Sequence, residues 1–179
     1  MHESVEKIMI SAEAIEKRVL ELGAEVCRDY KDKDLLMISV LKGSFMFMAD
    51  LVRAIDIHVE VDFMAVSSYG SGTKSSGVVK ILKDIDIELA GKDLLIVEDI
   101  LDSGLTLSYL TEMLSGRNPA SIRIMTLLDK PSRRQVDVVP DYRGFEVPDE
   151  FIVGYGLDYQ EHYRNLPYIG VLKPEVYSG

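Results

Sequence analysis

Leu94-Leu95-Ile96-Val97-Glu98-Asp99-Ile100-Leu101-Asp102-Ser103-Gly104-Leu105-Thr106-Leu107 is the stretch around which the rest of the chain organises. Its run of large apolar residues suits a strand covered on both faces, as in a parallel sheet flanked by helices. The spacing predicts a strand over 93–97, a loop over 98–104 and a helix over 105–114. The strand delivers two adjacent carboxylates, Glu98 and Asp99, then a third, Asp102, ahead of Ser103, Gly104 and Thr106. Small residues at the mouth of a helix let backbone amides and hydroxyls crowd around an anion. Gly104 marks a point where the backbone can approach a ligand closely or take a positive φ. A plain helix cap by Asp102 or Ser103, with Glu98 and Asp99 solvated, accounts for the same residues. From these residues alone both readings stand.

Working outward, the segments on either side repeat the strand–helix alternation. Ile15, Val19, Leu22 and Val26 recur at spacings of three and four, predicting an amphipathic helix from Ser11 to about Tyr30 with Ser11 as its N-cap. The unbroken apolar run 35–41 predicts another buried strand. Lys42-Gly43 breaks it, and a helical pattern resumes over 44–55. Val59, Val61, Phe63 and Ala65 alternate with polar or small neighbours in a strand predicted over 59–69, and 78–82 reads as its hairpin partner. Further strands are predicted over 122–128 and 151–154. Strands alternating with helices make an α/β fold with a mostly parallel, twisted sheet. No repeat or long linker divides the chain, so 1–179 reads as a single domain. In open sheets of this kind ligands bind beyond the carboxyl ends of the strands. The loops at 41–44, 68–77, 98–106 and 129–133 all follow strands, and so converge on one end.

Composition excludes several classes. The 179 residues hold 30 Asp and Glu against 20 Lys and Arg, a net charge of −10. Sequence-independent binding to nucleic acid or an anionic membrane needs the opposite sign. The lone Cys27 excludes an internal disulfide. The first ten residues lack the apolar core of a secretory signal, and no apolar run is long enough to span a bilayer, so a cytosolic protein is expected. His2, His58 and His162 have no metal-ligand spacing. The Gly/Ser-rich stretch 70–77 contains Gly-Thr-Lys-Ser, but Thr73 stands where a P-loop needs glycine. It reads as a mobile lid over a reacting ligand or as an ordinary hairpin tip. The basic cluster Lys130-Pro131-Ser132-Arg133-Arg134 reads as a solvated loop.

Taken whole, the opening stretch resembles the phosphoribosyl-diphosphate signature of type I phosphoribosyltransferases: an apolar strand, Glu-Asp, two apolar residues, then Asp-Ser/Thr-Gly-x-Thr. Leu41-Lys42-Gly43, Ser68-Tyr69, Lys130, the run from Phe151 to Tyr159, and Glu161, Tyr163 and Arg164 are similar to the hypoxanthine-guanine branch of that family. The resemblance extends from about 35 to 172. It implies the family's fold, with a small hood formed by the terminal segments. It also implies Mg2+, phosphoribosyl diphosphate and a 6-oxopurine base as cofactor and substrates, and a homodimer or homotetramer with Lys42 near an interface.

The same resemblance implies the roles. Asp102, Ser103, Gly104, Leu105 and Thr106 hold the 5′-phosphate, and Glu98 and Asp99 take the ribose hydroxyls with magnesium. Lys42 and Gly43, often through a cis peptide, and Arg164 hold the pyrophosphate; Asp158 lies by the second magnesium. Phe151 stacks on the purine, Lys130 donates to its O6 and the Ile152 main chain meets its edge. Asp102 acts on N7 as general acid/base, and Ser68 and Tyr69 open the lid. Two departures stand out: Leu105 replaces a lysine found in some members, and Ser44 replaces a frequent glycine. The rivals are a xanthine- or pyrimidine-preferring relative, and a regulator that keeps the fold to bind RNA or DNA. The intact Asp102 and the negative charge oppose the regulator.

Overall fold

The structure is a computed structural model and describes residues 1–68 and 79–178. In chain order the elements are β1 (Val5–Ile10), α1 (Ala12–Asp29), β2 (Leu35–Leu41), α2 (Phe45–Arg53), β3 (Glu60–Ser68) and β4 (Val79–Lys83). They continue with β5 (Asp93–Leu101), α3 (Leu105–Ser115), β6 (Ser121–Asp129), β7 (Tyr142–Glu146), β8 (Ile152–Val153), β9 (Ile169–Leu172) and α4 (Pro174–Tyr177). A six-stranded sheet runs in the order β4-β3-β2-β5-β6-β7, parallel except for β4. A second, antiparallel sheet, β1-β9-β8, joins the two ends of the chain into a hood.

The unbroken apolar runs are explained by burial on both faces. Leu35 and Met37 of β2, with Leu95 and Val97 of β5, pack against α1 and α2. Their neighbours Leu36, Ile38, Leu94 and Ile96 point the other way, against Leu107, Leu110 and Leu114 of α3. Helix α1 follows its expectation closely: Ser11 Oγ accepts from Ala14 N at 3.2 Å, and Ile15, Val19, Leu22 and Val26 are all buried. None of the described helices is long and apolar enough to cross a membrane.

Three expectations are corrected. The strand expected to end at Val97 continues to Leu101, because Glu98, Ile100 and Leu101 pair in register with Thr126, Leu128 and Asp129 of β6. Glu98 and Asp99 therefore ride on a strand, while Asp102 stays in the turn beyond it. The alternation over 59–65 does not set an inner and an outer face, since Asp62 and Met64 are the buried residues and both faces of β3 are covered. The last strand is β9 and not the segment beginning at Phe151. β1, β7 and β9 carried no local signal strong enough to announce them.

Strand order reverses between β2 and β5, so the chain leaves these neighbours for opposite directions. The loops after them splay apart and open a crevice at the carboxyl end of the sheet. That crevice receives every loop singled out above, apart from residues 69–78, which lie outside the described set. The expected lid is among those residues: Ser68 closes β3 and Tyr69 lies beyond it.

Candidate active site

At the end of β5 the chain turns into α3 through Gly104, whose φ of 83° is open to glycine without strain. A Cβ at this position would meet Val136 Cγ2 at 3.0 Å. Asp102, Ser103, Gly104 and Thr106 line a small bowl of about 90 Å³ at the start of the helix. The Oγ of Ser103 accepts from Leu105 N at 3.3 Å, but the N-cap position itself is held by Gly104, so the helix has no side-chain cap of the kind the plain reading called for. That bond leaves the Ser103 hydroxyl proton free to donate elsewhere.

A larger cleft of about 350 Å³ adjoins the bowl, lined among others by Ile100, Asp102, Lys130, Phe151, Ile152 and Asp158. Its size suits a small heterocycle. Asp102 borders both spaces, and its Oδ1 is buried with no hydrogen-bond partner. Buried polar atoms are almost always paired, so an orphan carboxylate oxygen at the meeting of two cavities marks a ligand position. Lys130 is buried and spends one donor on the Glu150 carbonyl at 2.9 Å. Burial pulls its ammonium below the usual lysine range, opposed by the charges of Asp102 and Asp149. Phe151 remains 38% exposed, one of the few large apolar side chains left open. Its ring stacks on Tyr177 at 4.5 Å, and Tyr159 meets it edge-on at 5.5 Å.

The far wall comes from the hood and from the loop after β2. The Leu41–Lys42 peptide is cis. Gly43 is wedged between two partners: a Cβ on it would sit 1.8 Å from Asp99 Oδ2, and a Cβ on Gly156 would sit 2.0 Å from the Gly43 carbonyl. Glycine is the one residue that fits either place. Arg164 donates to the Gly156 carbonyl at 2.7 Å and pairs with Asp158 at 3.0 Å. Lys42 reaches Glu161 at 2.9 Å, and this lysine holds the Glu161 carboxyl below the usual range. Ser44 turns inward to the Val40 carbonyl and Ser39 Oγ, so its side chain stays out of the crevice.

Glu98 is buried, Asp99 beside it is half-buried, and both are unlike the paired acids of the hood. Burial, followed by the charge of Asp99, raises Glu98 well above the usual carboxylate range. Burial pushes Asp99 up to about 6 against the pull of its backbone donors and of Arg164. Two such carboxylates ask for a cation. Among the described residues no three His, Cys, Asp or Glu side chains gather into a metal cage. Oxygen ligands without a full protein cage suit Mg2+, which keeps waters and substrate oxygens in its shell. Glu98, Asp99 and Asp158 are the residues that would serve it.

The basic cluster is a solvated loop only in part: Pro131, Ser132 and Arg133 are exposed, but the residues on either side of them are not. Lys130 is buried, Arg134 is tied to buried Asp129, and Arg133 pairs with Asp149. Ile100, Leu157, Tyr177 and Gly156 also line or shape the site and were not among the expected residues. Ile100 was visible as an apolar residue between carboxylates, whereas Tyr177 reaches Phe151 only through the fold. A further cavity of about 550 Å³ lies elsewhere, between α1, α2 and the hood, and is mostly apolar.

An α/β sheet with its cleft at the strand reversal, a phosphate-sized bowl and clustered carboxylates defines a nucleotide-handling transferase. The family profile described as "Phosphoribosyl transferase domain" matches residues 8–160, and the chain belongs to that family. Within it, the relatives matched over their full length include hypoxanthine-guanine phosphoribosyltransferases, and the chain also matches 28% of the length of Listeria proteins described as bifunctional TilS/HprT. The Bacillus subtilis enzyme of that name is 61% identical over 178 residues, covering 99% of each protein. The Staphylococcus epidermidis one is 54% identical, again over 99% of both. A crystal structure of a hypoxanthine phosphoribosyltransferase from Staphylococcus aureus superposes with a TM-score of 0.97 at 52% identity, covering 100% of this chain and 97% of that one.

Proposed function

We propose that the protein transfers the 5-phosphoribosyl group from phosphoribosyl diphosphate to hypoxanthine or guanine, releasing pyrophosphate and giving IMP or GMP. This is a purine salvage reaction. One observation carries the assignment of the site: the orphan Asp102 oxygen stands where a phosphate-sized bowl meets a base-sized cleft.

The 5′-phosphate sits in the bowl, on the amides of 102–106 with the Ser103 and Thr106 hydroxyls; Leu105 contributes its backbone alone. The ribose lies over Glu98 and Asp99. The reaction breaks the bond from the anomeric carbon to pyrophosphate and forms one to N9 of the base. Positive charge gathers on the sugar in between, and the carboxylates beside it lower that barrier electrostatically. Magnesium, when bound, neutralises the growing charge of the leaving pyrophosphate. Lys42, the Gly43 backbone and Arg164 receive the pyrophosphate from the hood side. As N9 bonds to the anomeric carbon, the Asp102 carboxylate accepts the proton that the base carries on N7.

The base lies on Phe151, with O6 toward Lys130 and its edge along the Ile152 backbone. Adenine presents an amine to a cation donor. A buried site built on such a bond rejects the mismatched partner by ~10⁴-fold or more. We take the enzyme to act in the cytosol as a homodimer or homotetramer, as its family resemblance implies; sedimentation tests the assembly.

The reading is tested by supplying phosphoribosyl diphosphate, magnesium and a panel of bases and measuring pyrophosphate release. Release is expected with hypoxanthine and guanine and at ~10⁴-fold lower efficiency with adenine. Absence of release with both oxopurines overturns it.

A further inference from the structure

Behind the phosphate bowl, the segment following β6 grips the backbone of the loop at every step. Lys130 N donates to the Leu101 carbonyl at 2.9 Å, and Gln135 N donates to the Ser103 carbonyl at 2.9 Å. Between them the Arg134 guanidinium donates to the Leu101 carbonyl at 3.3 Å and to the Asp102 carbonyl at 2.9 Å. Its other amine donates to Oδ1 of Asp129, a carboxylate only 3% exposed, whose Oδ2 accepts from Arg143 at 3.2 Å. The stem of Arg134 also packs under the turn: a Cβ on Gly104 would lie 3.3 Å from its Cδ. Arg134 itself lines neither the bowl nor the base cleft.

In a trans peptide the carbonyl and the following N–H lie in one plane and point in opposite directions. Pinning the carbonyls of Leu101, Asp102 and Ser103 to the rear therefore turns the N–H groups of Asp102, Ser103 and Gly104 forward. Forward is the bowl. We infer that Arg134, braced by Asp129, is a positioning residue that pre-aims the amides of the phosphate loop. A Lys in place of Arg134 supplies a point charge but not a planar fork able to bridge two carbonyls and a carboxylate. The inference rests on the reading of 102–106 as the phosphate seat.

The test is steady-state kinetics on Arg134→Met, Arg134→Lys, Asp129→Asn and Thr106→Val, with KM measured separately for phosphoribosyl diphosphate and hypoxanthine. Arg134→Met is expected to raise the KM for phosphoribosyl diphosphate ~10–100-fold, the worth of one or two charge-assisted hydrogen bonds. The KM for hypoxanthine should stay within about threefold, since hydrogen bonds to the base are untouched. Arg134→Lys and Asp129→Asn should fall between wild type and Arg134→Met, which keeps the test open if Arg134→Met folds poorly. An Arg134→Met enzyme with an unchanged phosphoribosyl diphosphate KM, or with both KM values raised together, overturns the brace. An unchanged value in Thr106→Val overturns the phosphate seat instead.

Discussion

Asp102 reaches the cleft from the end of a strand buried on both faces, whereas Phe151 and Asp158 reach it from the segments flanking β8 in a sheet that joins the two ends of the chain. The first side is held by continuous local structure: β5 pairs along its whole length with β6, and the carbonyls after it are taken up from behind. The second side hangs on short strands, Ile152–Val153 and Ile169–Leu172, and on turns with positive φ at Tyr155, Gln160, Glu161 and Tyr163. The difference teaches a division of labour. The sheet end fixes the groups that must not move during bond exchange, and the hood supplies a wall whose shape depends on a few close backbone contacts.

The sheet side is broken most severely at its chemistry. Asp102→Asn keeps the size and one acceptor of the side chain but removes its ability to take a proton. Its turnover with hypoxanthine should fall ~10²–10⁴-fold, the usual worth of a positioned acid/base group. The KM for phosphoribosyl diphosphate should stay within a few-fold, because the loop backbone is untouched. A wild-type turnover number in stopped or continuous assays removes Asp102 from proton transfer.

This contrast also decides what could be seen in the sequence. Leu94–Val97 and Leu35–Leu41 announced themselves because a strand buried on both faces needs apolar residues at consecutive positions. The carboxylates and glycine after them stood out against that background, so the sheet side of the site was legible. The hood was not, as far as local pattern goes: β1 buries only Val5 and Ile10 of its six residues, and its partner β9 lies at the other end of the chain. Pairing across such a separation leaves no local period to read; the family resemblance alone supplied the hood. For the same reason Arg134 looked like a solvated cation until Asp129 was seen beneath it.

The hood is broken by shape. Gly156 has a φ of 102° and a Cβ there would sit 2.0 Å from the Gly43 carbonyl. Gly156→Ala should push the Lys42-Gly43 loop off Asp99 and raise the KM for phosphoribosyl diphosphate by ~10-fold or more, since binding clamps are sensitive to shifts of about 1 Å. Gly91 is the control. It has a φ of 77°, and a Cβ there would meet nothing within 4 Å. Gly91→Ala therefore carries the left-handed strain of ~1 kcal/mol without the collision. Both variants should lose a few degrees of Tm, and Gly156→Ala alone should lose affinity. Equal kinetics in the two would mean that the hood does not set the pyrophosphate loop.

The smallest expected effect separates the two sides by how they keep their acids. In the hood, Glu161 is held low by Lys42, and Asp158 is paired with Arg164. On β5, Asp99 is half-buried and its carboxyl stands at about 6, above its ordinary 3.8. Between those values the folded protein keeps a proton that the unfolded chain has lost, so this group's contribution falls as pH rises through the window and levels off above it. The slope is on the order of 1 kcal/mol per pH unit for one fully resolved group. Asp99→Asn removes it. With EDTA present to keep divalent cations off the carboxylates, the Tm of Asp99→Asn minus that of wild type should grow from pH 4 to 6; above that the difference also carries Glu98, whose carboxyl the charge of Asp99 raises in the wild type alone. Asp29, Asp62 and Asp84, all held low, act in the opposite direction at lower pH and cancel in the difference. A difference that does not change across the window would place Asp99 among the paired acids, and the two walls would then handle charge alike.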